Sequence, residues 1–220
     1  LYDLQFEKPK PLVPRYLCFG VPERLDARGE VLIPLDERAV RQVAELLREE
    51  QAVSVAVCLL HAYANPDHEK RVGEIIQDVS PETIISLSSE VAPEFGEYFR
   101  ASTTVINAGI RPVVARYLER IEKRLREEGL TAELLLMQSS GGVYTFTEAG
   151  RKPVFMVESG PAAGVISAAY LGKNMGYGDI ISFDMGGTTA KVSLIQDGMP
   201  KVTKDYEVGA AAKAGVGAHR

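Results

Sequence analysis

Val40, Val43, Ala44 and Leu47 recur three and four residues apart, behind Asp36 at a natural N-cap position. This predicts a helix to about Glu50. Ala52–Leu60 reads as a continuous apolar strand of the kind buried on both faces of a parallel sheet. Asn65-Pro66 opens a second helix, Asp67–Asp78, and Thr83–Leu87 is the next strand. Upstream, Tyr16–Val21 and Val31–Ile33 read as short strands around the turn Asp26-Ala27-Arg28-Gly29. Pro93–Asn107, polar and small, reads as a transition. Arg111–Glu128 is the clearest helix: Val113, Tyr117, Ile121 and Leu125 form one stripe, joined by Val114 and Leu118, and Gly129 stops it.

Glu133–Met137 is predicted as a strand running into the loop Gln138-Ser139-Ser140-Gly141-Gly142. A short helix at Thr147–Gly150 and an apolar run at Val154–Val157 follow. Ser159-Gly160-Pro161 then starts a helix reaching about Asn174, with Pro161 at N1 and Gly160 or Ser159 as the cap. Ile180–Asp184, a tight turn at Met185–Thr189 and Ala190–Gln196 make a hairpin. Asp197-Gly198 turns the chain toward Lys201–Thr203. Alternating strands and helices predict an α/β layer architecture.

Composition narrows the function. The 220 residues are 45% hydrophobic and 25% charged, which fits a globular protein. No apolar run reaches the roughly 18 residues of a membrane helix. The net charge of -5, with no basic patch, argues against a nucleic-acid partner. Cys18 and Cys58 lie in apolar contexts without a CxxC, so both are expected to be reduced core thiols of a cytoplasmic protein. No signal peptide or lipidation motif is visible. The chain starts at Leu1 within folded-looking sequence and ends in the small-residue tract Gly209–Arg220, so a piece of a longer polypeptide is expected.

The strongest chemical motif is Ile180-Ile181-Ser182-Phe183-Asp184-Met185-Gly186-Gly187-Thr188-Thr189, followed by the strand Lys191–Gln196. Gly186 and Gly187 let backbone N–H groups approach an anion, and the Thr188 and Thr189 hydroxyls add donors. Asp184 suits Mg²⁺, which takes one or two carboxylates and keeps most of its water. A plain hairpin turn is the competing reading. The second motif, Glu158-Ser159-Gly160-Pro161-Ala162-Ala163-Gly164, would place a helix N-terminus where anions bind, or simply pack a helix closely. The third is Gln138–Gly142, a Gly-rich loop at a strand end, where α/β folds put ligands, or a plain connection. There is no GxxxxGK[ST], GxGxxG, GxSxG or HExxH. His61 and His68, near Asp67 and Glu69, read as a strand-end and an exposed helix histidine rather than a metal site.

The order of these elements resembles the actin/Hsp70/sugar-kinase ATPase superfamily. The wording of Gly20–Asp26, Cys58–Pro66, Ser89–Phe95, Ser102–Ala108, Met137–Gly142, Ser159–Gly164 and Phe183–Thr188 resembles the hydantoinase A/5-oxoprolinase/acetone carboxylase family over about residues 15–208. The resemblance implies a partial ribonuclease-H-like (actin-like ATPase) α/β fold, a mixed sheet flanked by helices. It implies two parts: 1–100, finishing an N-terminal hydantoinase/oxoprolinase domain, and 101–220, beginning a hydantoinase A domain with the second phosphate loop. It also implies an enzyme that uses Mg²⁺-ATP to phosphorylate a carbonyl oxygen of a cyclic amide, of hydantoin, N-methylhydantoin or 5-oxoproline type, with a hydantoinase B-type subunit or domain in a hetero-oligomer.

Carried over residue by residue, Asp184, Gly186, Gly187, Thr188 and Thr189 match the phosphate loop, and Asp184 the metal position. Gly160, Gly141 and Gly142 match loops facing the cleft. Many members have Ser-Thr-Asp after Gly-Gly-Thr where this chain has Thr189-Ala190-Lys191, so Lys191 brings a cation beside the phosphates. The family's N-terminal phosphate loop and later adenosine element have no counterpart in these residues, and the 220-residue chain alone is expected not to turn over ATP. The competing expectations are a non-catalytic paralogue that docks a hydantoinase B-type subunit, an ATP-dependent ketone carboxylase subunit, and a small-molecule kinase. No catalytic base is identifiable.

Overall fold

A computed structural model describes residues 10–187 and 190–201. Strands β1 (Arg24–Leu25) and β2 (Val31–Ile33) form a small antiparallel ribbon. Asp26 shapes its turn by accepting from the Arg28 and Glu30 N–H groups at 2.8 and 2.9 Å. The segment predicted as a strand at Tyr16–Val21 is instead a single 3₁₀ turn, Arg15–Leu17. No described strand pairs with it, and Cys18 is exposed rather than part of a core.

Helix α1 (Glu37–Glu49) starts as the sequence predicts, with the Asp36 carboxylate accepting from the Ala39 N–H at 3.0 Å. Strand β3 (Ser54–Val57), helix α2 (Asp67–Val79) and strand β4 (Ile84–Leu87) follow. β3 and β4 are parallel, with Ser54 opposite Ile84. The main hydrophobic core lies here: Val40, Ala44 and Leu47 of α1 meet Val72, Ile75 and Ile76 of α2 over Val57 and Leu87. β3 is shorter than the apolar run Ala52–Leu60. Its continuation leaves the sheet because the Leu59 N–H donates to the Glu69 carboxylate at 2.8 Å.

After the short helix α3 (Ser88–Val91), helix α4 runs from Glu97 to Glu127, about 46 Å. The predicted transition at Pro93–Asn107 is therefore largely helical. Its buried stripe is Arg100, Thr104, Asn107 and Ala108, helical in spacing but mostly polar, so an apolar period is absent from the sequence. Arg100 donates to Ser88 Oγ and to the Glu94 and Leu59 carbonyls; Asn107 bridges Ser86 Oγ and the Arg151 carbonyl. Pro112 lies inside α4 and cannot donate to the Ala108 carbonyl. Ser54 Oγ of β3 supplies the missing bond at 2.8 Å. On the C-terminal half of α4 the predicted apolar stripe is only partly covered: Leu118 is buried, Val114, Ile121 and Leu125 are half-buried, and Val113 and Tyr117 are exposed.

Strands β5 (Leu135–Met137) and β6 (Val143–Thr145) form a hairpin. Helix α5 (Phe146–Arg151) follows, capped by Thr145 Oγ1 accepting from the Glu148 N–H. Helix α6 (Ser159–Asn174) leads into an antiparallel sheet of β7 (Ile180–Met185), β8 (Ala190–Gln196) and β9 (Met199–Pro200). The whole is mixed α/β with small sheets. Helix α6 lies against one face of the β7–β8 hairpin, where Ile195 is buried. The opposite face presents Ile181, Phe183, Met185, Val192 and Leu194 to solvent. No described helix is long and apolar enough to cross a membrane.

Candidate functional site

The β7–β8 register sets Asp184 directly opposite Lys191. Side chains alternate across a strand, so Ser182, Asp184, Lys191 and Ser193 point toward α6 while their neighbours point away. Between hairpin and helix lies a cavity of about 330 Å³, lined by Pro161, Gly164, Asp184, Lys191 and Ser193 among others. The Asp184 carboxylate reaches Gly164: a Cβ on that glycine would lie 4.0 Å from Asp184 Oδ2. Gly160 is in the first turn of α6 with open space around it.

Helix α6 begins at Ser159, two residues before the predicted N1, and Pro161 sits at N3. That is harmless, because the first N–H groups of a helix have no intrahelical acceptor. The residue before the helix, Glu158, has φ +66 and does not cap it. A glutamate in the left-handed region is strained. Its side chain forms an ion pair with Lys191. Lys191 is therefore already engaged by a carboxylate. Asp184, its cross-strand neighbour, has no cation within 4 Å among the described residues.

Gly186 and Gly187 follow Asp184 at the turn. Neither has a positive φ, and a Cβ on either would meet nothing within 4 Å. Among the described residues neither backbone conformation nor packing requires glycine there, and the two glycines leave the backbone open to close approach. Thr188 and Thr189 lie outside the described residues. Gly141 contrasts with the pair. It has φ +90, and a Cβ would fall 2.3 Å from Ile166 Cδ1 of α6. The loop Gln138–Gly142 is a hairpin turn between β5 and β6 rather than a strand-to-helix loop. It is tied down by Ser139, whose N–H and Oγ both donate to the Phe155 carbonyl. Gly141 and Gly142 do not line the cavity that holds Asp184.

An anionic phosphate chain fits this arrangement on its own terms: an open glycine turn, a helix N-terminus at Gly160 and an unpaired carboxylate for a divalent cation. The described residues hold no cluster of three or more metal-binding side chains. His68, predicted exposed, is half-buried with Nδ1 2.8 Å from Glu23 Oε2. Two features escaped sequence reasoning. Glu158 carries no local signal, since its role follows from a strained backbone. Glu69 is fully buried on α2 and accepts from the Leu59 and Ser89 N–H groups and from Ser88 Oγ.

The sequence profile of hydantoinase/oxoprolinase proteins matches residues 100–217, and that of their N-terminal region matches residues 1–80. The chain belongs to the hydantoinase/oxoprolinase family. It is 44% identical to a protein of Methanocaldococcus jannaschii over 98% of its own length and 32% of the relative's. The nucleotide-free structure of acetone carboxylase superposes with a TM-score of 0.79 at 33% identity, over 88% of this chain and 28% of that one. The ATP-dependent caprolactamase of Pseudomonas jessenii superposes equally well, TM-score 0.79 at 32% identity, over the same shares of the two chains. The chain thus spans 28–32% of the length of these three relatives.

Proposed function

We propose that the chain is part of an ATP-dependent enzyme that activates the carbonyl oxygen of a cyclic amide and supplies one of its phosphate loops. The observation that carries this reading is the Asp184-Met185-Gly186-Gly187 turn, where nothing among the described residues accounts for two glycines and the carboxylate has no described cation within 4 Å. Caprolactamase, a relative at 32% identity, supports a lactam or similar cyclic amide as substrate. The likeness to acetone carboxylase supports the same activation step with a ketone. In this reading the sheet β7–β9 with α6 belongs to a ribonuclease-H-like lobe, and the boundary between lobes falls near residue 100, at the start of α4.

When bound, Mg²⁺-ATP supplies the phosphoryl group and neutralises its charge. The chain's own residues bind and orient. Gly186 and Gly187 present backbone N–H groups to phosphate oxygens, and Asp184 holds the cation through water. Gly160 sets the α6 N-terminus toward the same charge. Thr188 and Thr189 are assigned to the turn as further donors. Lys191 is held by Glu158 at the cavity wall, from which it can pair with a phosphate or substrate anion. Gly141 and Gly142 shape the adjacent hairpin and are assigned no ligand contact. A hydantoinase B-type subunit is the proposed partner, and the cytoplasm the proposed location.

The test is phosphate release by the full-length protein with Mg²⁺-ATP and, in turn, hydantoin, N-methylhydantoin, 5-oxoproline, caprolactam and acetone. Release stimulated by one substrate and lost in Asp184→Ala, with an unchanged unfolding transition, is the expected result. No stimulation by any of them, with a hydantoinase B-type subunit present, would overturn the reading.

A further inference from the structure

A second cavity, of about 770 Å³, lies against the free side of β4, between α2, α3 and α5. It shares no lining residue with the cavity at Asp184. Lys70, Arg111, Arg151 and Lys152 all line it. Among the described residues, Lys70, Arg111 and Lys152 have no carboxylate within 4 Å. Arg151 reaches Glu148 only at 3.4 Å. Of the carboxylates in the wall, Glu74 is already engaged by Arg71 at 2.8 Å.

Arg111 is the central group. It is partly buried, and its one hydrogen bond goes to the Ile85 carbonyl on the β4 edge. Burial and the like charge of Arg151 both disfavour its cation and hold its pKa below the usual guanidinium value, with Glu90 opposing more weakly. The Ser89 hydroxyl, also in the lining, is shut off from solvent and has no hydrogen-bond partner. Four cations and three carboxylates, Glu74, Glu90 and Glu148, therefore line one space; Arg71 engages Glu74 and Arg151 engages Glu148, which leaves Lys70, Arg111 and Lys152 against Glu90 alone. Planar guanidinium forks are suited to paired oxygens.

We infer that this cavity binds a small dianion, a dicarboxylate or a phosphate monoester, held by Arg111 and Arg151 with Lys70 and Lys152 at the rim. The site is separate from the glycine turn and stands whether or not that turn binds nucleotide.

The test is calorimetric titration of the full-length protein with glutarate and, separately, inorganic phosphate, at constant ionic strength set by chloride. Saturable binding of at least one probe is expected. Arg151→Gln, whose side chain is mostly exposed, should weaken it at least tenfold without changing the melting temperature. Arg111→Gln should weaken it as much or more. Glu90→Gln, which removes a like charge, should tighten it severalfold, an effect that loss of structure cannot produce. Binding of glutarate alone identifies a dicarboxylate, and of phosphate alone a phosphate monoester. Absence of saturable binding for both probes, or binding indifferent to both arginine variants, overturns the proposal. So does a full-length structure in which another segment fills the cavity with its own carboxylates.

Discussion

The β3–β4 sheet and the β7–β8 hairpin are built from comparably apolar strands, yet they meet opposite fates. Around β3–β4, α1 and α2 close over one face and leave Val40 at 1% and Ile75 at 0% exposure. On the hairpin, α6 covers only the side carrying Asp184 and Lys191, and the far side leaves Phe183 at 63% and Met185 at 70% exposure. Apolar alternation reports that a strand has a face to bury. It does not report whether the covering element belongs to the same stretch of chain. The first region is stabilised from within, and the second is arranged around a mostly apolar cavity that carries Asp184 and Lys191, with its apolar back open.

The largest expected effect is in the first region. Glu69 is a buried carboxylate whose hydrogen bonds hold the ends of β3 and β4 together. Glu69→Ala strands the Leu59 and Ser89 N–H groups and the Ser88 hydroxyl, at about 1–3 kcal/mol for each donor left unsatisfied, and should cost about 3–5 kcal/mol in denaturant unfolding. A loss below about 1 kcal/mol would mean that the network is not structural. Next, Ile75→Ala should cost about 2–5 kcal/mol through the cavity it leaves. In the 220-residue chain Phe183→Ser should change stability by less than about 0.5 kcal/mol. Equal costs at the two positions would erase the distinction between the regions. Ser54→Ala leaves the Ala108 carbonyl without a donor beside Pro112 and should cost about 1–3 kcal/mol, visible as a lower denaturant midpoint.

The smallest effect concerns the thiols. Burial raises the Cys58 pKa to about 11, from an ordinary 9.0, with the Glu69 charge adding to it. A raised folded-state value favours folding below the unfolded pKa. That contribution is therefore lost as pH rises from about 9.0 through about 11. At pH 8 a thiol reagent should modify exposed Cys18 and leave Cys58 unreacted until the protein unfolds. Equal rates would show that the core around β3 opens readily.

Much of the fold was legible because local chemistry announced it. Asp36 marked the start of α1, Gly129 the end of α4, and the run Ile180–Gln196 the hairpin. The first half of α4 was not, because its inward stripe is Arg100, Thr104 and Asn107, polar residues of which Arg100 and Asn107 are held by partners far away in sequence and Thr104 by the Arg100 carbonyl one turn back. At the site, the placement of Asp184 and Lys191 on paired strands flanking the glycine turn was legible from the hairpin pattern. The Glu158–Lys191 pair was not, because a positive φ at a glutamate leaves no trace in composition. Gly141 differs from Gly186 and Gly187: its φ of +90 and the approach of Ile166 both call for glycine there.

One bond described above has a mechanical meaning. Helix α4 is a strut lying almost wholly in the region that matches the hydantoinase/oxoprolinase profile, and it packs on β3, which lies in the region that matches the N-terminal profile. A strut bends most easily where a rung is missing, and Pro112 removes one. The Ser54 hydroxyl pins that weak point to the sheet, so the bend has a fixed fulcrum. Any tilt of the α4 C-terminal arm is then a rotation about β3, with its short arm at Glu97 and its long arm among Leu118 and the residues beyond.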